Sequence, residues 1–219
     1  MTTLKEKAFD KKNSLIITLD GPSASGKGTI GRILADKLEL RYVQSSILYR
    51  ALAYLCVKAK VKLDDIEGIL TIAKKDLKIE NYAELDLSDE DIGDAASKIS
   101  VFLEVRMHVN ASLKKLIINS HRIIMEGRDI GTVIAPNADL KLFVTANLEV
   151  RAERRFKQLQ LAGKKCIISD VLKQLAQRDL RDTSRDFAPL LIAKDALVID
   201  SSDLNPEQVV EVVIEYLSQ

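Results

Sequence analysis

The sequence predicts an α/β fold in which one parallel sheet carries helices on both faces. Three observations lead there. Short apolar runs recur along the chain without polar alternation, as strands covered on both sides require. Segments of helical period separate them, and strand–helix alternation of this kind implies parallel pairing. The first run, "LIITLD" (15–20), passes directly into the glycine-rich "GPSASGKGT" (21–29) and then into "IGRILADKL".

The elements follow in order. Residues 1–13, "MTTLKEKAFDKKN", are charged and lack the apolar core and cleavage site of a signal peptide, so they read as a solvated tail ahead of a domain spanning 14–219. After the strand at 15–20 comes a helix at 26–38. "LRYVQ" is a weaker strand around Tyr42 and Val43, and a helix at 46–60 follows it. Residues 61–95 break the rhythm. From Asp76 to Asp94 there are eight acidic side chains and one basic one, Lys78, with no clear strand–helix period. An inserted subdomain is expected to begin here, with "GDAASKIS" leading into its helices. The alternation then resumes: helix 104–119, strand "RIIMEG" (122–127), strand "LKLFVTA" (140–146), helices 147–162 and 169–182, and strand "ALVIDSS" (196–202). The last helix, 206–217, is announced by Asn205 as cap, Pro206 in the first turn and Glu207 after it.

Composition narrows the class. The 219 residues suit one large domain with a small insertion, and 47% are hydrophobic, enough for a substantial core. Basic and acidic residues number 33 and 32, a balance that argues against a protein gripping nucleic acid through its overall field. No apolar run approaches the length of about eighteen residues that would suggest a membrane span. Cys56 and Cys166 lie far apart with no CxxC pair, and Cys56 sits in the apolar "ALAYLCV", so the plain expectation is a reducing cytoplasm. A monomer is expected.

The loop carries the chemistry. Gly21 and Gly26 allow backbone angles and close approach that a β-carbon would block. Across Gly21, Pro22, Ser23, Ala24, Ser25, Gly26, Lys27, Gly28 and Thr29, main-chain N–H groups can point inward, and the helix that opens at Gly26 adds its positive end. Lys27 can reach outer phosphates as a point charge. One residue departs from the common phosphate-loop pattern: Gly28 occupies the slot of a magnesium-reaching hydroxyl, which moves to Thr29. ATP with Mg2+ is the expected ligand.

Further along, "SSILYR", "DAASKIS", "EGRDIGT", "RAERRFKQLQ" and "RDLRDTSR" accompany the loop. Together, and in this order from Leu15 to the C-terminus, these motifs resemble the bacterial cytidylate kinases, which belong to the nucleoside monophosphate kinases. The resemblance implies a P-loop kinase fold with a core of 14–60 and 115–219, a monophosphate-binding insertion at about 61–114 and a short lid at about 151–168. It implies phosphoryl transfer from ATP to CMP or dCMP, small-molecule substrates rather than nucleic acid or membrane. Arg50, Arg128 and Arg185 match the positions that hold the acceptor phosphate, beside Ser45 and the loop lysine. Guanidinium forks pair bidentately with phosphate oxygens, as lysine cannot. Arg178 and Asp182 would hold the ribose, Arg151 and Arg155 the triphosphate, and Ser97, Arg106 and Asp129 would read cytosine.

The residues read by themselves agree in part. Arg178, Asp182 and Arg185, spaced i, i+4, i+7, share a helix face, although a solvated salt-bridged helix gives the same spacing. Between 147 and 185 there are ten basic and five acidic residues, in contrast to the acidic 76–94, and Gly163 is a plausible hinge for the lid. His108 and His121 are solitary, which suits a reaction whose acceptor oxygen is already ionised. Nine residues separate Ser97 from Arg106, two and a half turns of helix, so the chain must break between them. The resembled family commonly has Pro where Leu103 stands here. It also has Asp for Gln44, Gly for Ser46 and often Asp for Glu126, and its longer forms carry more chain around "NYAELDLSDEDIGD". Two alternatives stay open: a kinase of this fold for another small acceptor, and a non-catalytic nucleotide-binding protein in which Gln44 records lost catalysis.

Overall fold

The computed structural model describes residues 14–77, 87 and 89–218. The charged tail at 1–13 and, within the acidic stretch, 78–86 and 88 lie outside the described residues.

Five strands form the sheet: β1 (Leu15–Asp20), β2 (Arg41–Gln44), β3 (Arg122–Glu126), β4 (Leu140–Thr145) and β5 (Leu197–Asp200). Their order is β2-β3-β1-β4-β5 and every pairing is parallel. The apolar runs explain this directly. Leu15, Ile17, Leu19 and Ile124 are buried on one face beneath α1 (Lys27–Lys37) and α8 (Pro206–Ser218). Ile123 and Met125 are buried on the other, beneath α2 (Ser46–Lys58), α3 (Ile66–Asp76), α4 (Glu90–Ile99) and α5 (Leu103–Ile118). Strands covered on both faces need apolar residues at successive positions, which is the pattern the sequence has. Helices α6 (Leu148–Leu161) and α7 (Ile168–Ser184) pack on each other through Ala152, Leu159, Val171 and Leu175.

Three local features position the site. Helix α3 lies inside the stretch where no period is evident: Asp65 caps it by accepting from the Gly68 N–H at 3.0 Å, and Ile69 and Ala73 bury its inner face. The break required between Ser97 and Arg106 is present without a proline. Helix α4 closes when Ser100 Oγ donates to the Ser97 carbonyl at 2.9 Å, and Phe102 is extended before α5 begins. Lastly, a wide helical turn at Ile130–Ile134 follows β3. It is pinned by the Asp20 carboxylate, which accepts from the N–H groups of Ile130 at 2.9 Å and Gly131 at 2.7 Å.

Helix α8 is capped reciprocally, with Asn205 Oδ1 accepting from the Gln208 N–H and Gln208 Oε1 accepting from the Asn205 N–H, each at 2.9 Å.

Candidate active site

Ligands of open parallel sheets bind beyond the carboxyl ends of the strands, where the strand order reverses. Here the order reverses around β1, and the glycine-rich loop leaves β1 at that point. Gly21 has no room for a side chain, since a β-carbon would lie 2.0 Å from the Val144 carbonyl oxygen of β4. Gly26 ends the loop at φ 91°, in the left-handed region that favours glycine, and a β-carbon there would lie 3.4 Å from Ile30 Cδ1. The loop therefore lies close against β4 at Gly21, and from Ser23 to Thr29 it lines the cleft at the start of α1.

Lys27 is buried, and its Nζ donates to the Pro22 carbonyl and to Ser25 Oγ. Burial, followed by the positive charge of Arg128, pushes its pKa down to about 7, with Glu126 and Asp20 opposing. A lysine held this way gains from any anion brought to it. Asp20 behaves conversely: burial pushes its carboxyl up to about 6 despite the two N–H groups it accepts from.

The cleft in front of the loop has a volume of about 1320 Å³. That exceeds the roughly 300–1,000 Å³ of an ordinary small-molecule pocket, so two substrates fit end to end. Residues Ser23 to Thr29 line it together with Arg50, Arg128, Arg155 and Arg178. Arg128 joins the two sides: its Nη2 donates to Ser23 Oγ at 2.7 Å and its Nε to Asp182 Oδ2 at 2.9 Å. Burial would raise the Asp182 carboxyl, but Arg128, Arg178 and Arg185 together hold it below the usual carboxylate range. Arg178 has its Nε closed off from water with no hydrogen-bond partner among the described residues. Burial and the neighbouring Arg128 push its pKa down to about 10. Arg50, on α2, donates to the carbonyls of Leu87 at 2.5 Å and Asp89 at 3.1 Å.

Deeper in, Arg106 Nη2 donates to Asp129 Oδ2 at 2.5 Å and its Nη1 to the Ser100 carbonyl at 3.0 Å. Arg185, just past the end of α7, lies 3.6 Å from the same carboxylate and 3.9 Å from Asp182. Arg106 Nε and Arg185 Nη2 are closed off without hydrogen-bond partners among the described residues. Ser97 Oγ accepts from Arg181 Nε at 3.2 Å. Ser45 is buried at the start of α2, and Thr29 is exposed on α1 at the edge of the cleft.

The basic residues of α6 divide. Arg151 is committed to scaffold, with its Nε donating to the Ala146 carbonyl at 2.8 Å and its Nη1 to Ser23 O at 3.2 Å and Asp179 Oδ2 at 2.6 Å. Arg155 faces the cleft and pairs with Glu90 of α4. Arg154 reaches the loop mouth, donating to Ser201 Oγ and to the carbonyls of Ser201 and Leu204. The sequence reading missed the wall that follows β5, where Ser202, Leu204, Asn205 and Pro206 line the cleft beside the loop. The available signal was that a strand ends at Asp200 and that ligands gather at such ends. It also missed Tyr42, whose hydroxyl donates to Glu126 Oε2.

A divalent cation fits this edge. Mg2+ keeps several waters and takes one or two carboxylates plus substrate phosphates. The Thr29 hydroxyl and the Glu126 carboxylate both line the cleft at the loop.

Comparison with known proteins agrees with this geometry. A crystal structure of an uncharacterized protein from Eubacterium ventriosum ATCC 27560 matches with TM-score 0.56 at 12% identity, over 94% of this chain and 99% of that one. Shikimate kinase from Bacteroides thetaiotaomicron matches with TM-score 0.50 at 14% identity, over 94% and 99%. These likenesses show the fold alone. In sequence, the chain is 54% identical to the cytidylate kinase of Rickettsia bellii (strain OSU 85-389) over 99% of each protein. It is 53% identical to that of Rickettsia canadensis (strain McKiel), over 99% of this chain and 98% of the relative. The Cytidylate kinase family profile matches residues 17–219, and the chain belongs to that family.

Proposed function

We infer that the protein transfers the γ-phosphoryl group of ATP to CMP or dCMP, giving ADP and CDP or dCDP. An acceptor-phosphate oxygen attacks the γ-phosphorus while the bond to the β–γ bridging oxygen breaks. The acceptor oxygen is already ionised, so positioning and charge neutralisation dominate over proton transfer. The observation that carries the reading is the arginine cluster facing Lys27 across the cleft. Arg50, Arg128 and Arg178 crowd one wall, and Arg178 has a buried, unpartnered Nε. Buried cations without enough counter-charge call for an anion between them.

In this reading the loop amides of residues 21–29 and Lys27 hold the β- and γ-phosphates. Arg50, Arg128 and Arg185, with Ser45, hold the acceptor phosphate, and Arg178 and Asp182 the ribose. Arg155 approaches the triphosphate from α6, and Arg151 serves it indirectly by fixing Ser23 and Asp179. Bound Mg2+ would neutralise phosphate charge, and Thr29 and Glu126 are the residues that would hold its water shell. The stretch 61–114 acts as the acceptor-binding insertion and 151–168 as the lid over the core, with Gly163, at φ 72°, the place where it would turn.

Base reading rests on the Arg106–Asp129 pair. A guanidinium beside a carboxylate presents a donor edge next to an acceptor, the complement of the ring acceptors and amino group of cytosine. Uracil would place a carbonyl against Asp129 and an N–H against Arg106. Such mismatch at a buried polar site discriminates by about 10⁴. We further propose a monomer acting on small molecules rather than nucleic acid, supported by the near-balanced charge, and a reducing cytoplasmic setting, supported by two unbonded cysteines.

An acceptor panel of CMP, dCMP, UMP, AMP and shikimate with ATP, read as ADP release, tests the reading. CMP and dCMP are expected to turn over and UMP poorly. Comparable UMP turnover would remove the base-reading assignment. Calorimetric binding of ATP and CMP with no turnover of any acceptor would establish the non-catalytic alternative.

A further inference from the structure

Gly28 and Gly31 are three apart on α1 and share a face. At Gly31 a β-carbon would meet the Tyr42 ring at 2.7 Å; at Gly28 it would lie 3.6 Å from Tyr42 Oη and 3.4 Å from Glu126 Oε2. The two glycines thus form a slot in the helix, and the ring of Tyr42, coming from β2, runs along it. Its hydroxyl emerges beneath residue 28, where the commoner loop pattern carries a hydroxyl of its own. There Tyr42 Oη donates to Glu126 Oε2, and Arg32 lies over the ring at 5.5 Å from its centre.

The surroundings show what this contact does. Glu126 is 7% exposed and lines the cleft beside Lys27 and Thr29. Its partner in register across β2 is Gln44, a neutral amide. A glutamate has one more rotatable bond than an aspartate, and Arg32 stands near enough to attract it: the guanidinium is 3.5 Å from the point where a residue-28 β-carbon would lie. A hydrogen bond from a rigid phenol removes that freedom.

We propose that Tyr42 is a positioning residue that fixes the Glu126 carboxylate at the mouth of the phosphate loop. The Tyr42–Glu126 couple supplies there the ordered negative oxygen that Gln44 does not. This rests on the reading of the cleft as a Mg2+–nucleotide site, and not on which acceptor is phosphorylated.

The experiment measures ADP affinity by calorimetry in Mg2+ and in EDTA for the wild type, Tyr42→Phe, Glu126→Gln and the double variant. Phenylalanine still fills the glycine slot, so the variant folds, with a thermal midpoint lowered only by the few degrees of one lost hydrogen bond, and its metal-free ADP affinity stays at the wild-type value. The Mg2+-dependent gain in affinity falls about three- to tenfold, the scale of one lost hydrogen bond. The Mg2+ concentration for half-maximal turnover rises by the same factor. Glu126→Gln loses at least as much, and adding Tyr42→Phe to it changes nothing more. Tyr42→Phe with an unchanged Mg2+ gain would overturn the proposal. So would an equal loss in Mg2+ and in EDTA, which marks packing alone, or additive losses in the double variant. A wild type that binds ADP equally with and without Mg2+ would also overturn it. Failure of CMP phosphorylation would appear only in the acceptor panel, so the two failures are distinguishable.

Discussion

The cleft has two charged sides, and the chain holds them by different means. Behind the cleft wall the ions are buried and wedded to fixed partners: Arg106 with Asp129, at 3% and 9% side-chain exposure, and the wall residue Arg128 with Asp182, at 16% and 7%. On the rim, where α4 meets α6 and α7, the pairs are wet. Arg155–Glu90 is 25% and 35% exposed, Lys164–Asp89 39% and 52%, and Arg181–Asp94 28% and 44%. Breaking a buried pair leaves a charge stranded in low dielectric, whereas a wet pair exchanges partners with water at little cost. The inner set therefore defines a template, and the outer set closes the molecule on itself without locking it.

The largest test falls on the template. Lys27→Ala removes a charge that acts as the phosphoryl group passes between oxygens. Turnover is expected to fall about 10²–10³-fold, as when a preorganised transition-state donor is lost, while the KM for CMP changes little. Wild-type turnover in this variant would place the chemistry elsewhere.

Next comes stability. Arg106→Ala leaves Asp129 buried with Arg185 at 3.6 Å as its remaining basic neighbour. Urea unfolding should show a loss of about 3 kcal/mol, at the lower end for a broken buried pair. Glu90→Ala on the rim should lose under about 1 kcal/mol. Equal losses would erase the distinction between the two sides.

What the sequence disclosed follows the same division. Buried strands announce themselves because both faces demand apolar residues, so β1, β3 and β4 were readable from "LIITLD", "RIIME" and "LKLFVT"; β5, at the sheet edge with Val198 48% exposed, was readable from its short apolar run alone. The loop was readable because Gly21 and Gly26 answer to local geometry, and the face shared by Arg178 and Asp182 because helical spacing is local. Features set by distant partners were hidden. Asp20 holds a turn 110 residues away. Tyr42 finds Glu126 only once α1 has given it a slot. Helix α3 went unread because its buried stripe is short, Ile69 and Ala73, and stands where the strand–helix rhythm is interrupted.

A third test uses protonation. Ligand-free Lys27 is held near pKa 7 by burial and by Arg128, against an ordinary value of 10.5. At pH 8 it is mostly neutral, and phosphates placed against it favour its charged form. Nucleotide binding should then take up close to one proton. The uptake should vanish below about pH 6, where Lys27 is already charged, and Lys27→Ala should abolish it. Asp20, at about 6, is ionised at pH 8 and does not interfere. Calorimetry in buffers of different ionisation enthalpy measures the uptake. The same shift makes the ligand-free fold gain stability as pH rises between about 7 and 10.5, because the unfolded chain binds the extra proton in that window.

The smallest effect belongs to the rim, and it bears on closure. Glu90 occupies Arg155 in the ligand-free molecule, so a triphosphate that uses Arg155 must displace a carboxylate first. Burial and the nearby Arg50 lower the pKa of Arg155, a sign that Glu90 compensates it incompletely. Glu90→Gln removes the competing charge and keeps the shape. The KM for ATP should fall by less than about fivefold, the limit for an exposed pair worth up to about 1 kcal/mol. High salt should erase the difference, since exposed pairs are screened within a Debye length of about 10 Å at 0.1 M and less above it. A rise in KM would mean that Glu90 holds α4 in a competent position. A fall that persists in high salt would mean that the rim pair is not governed by solvent.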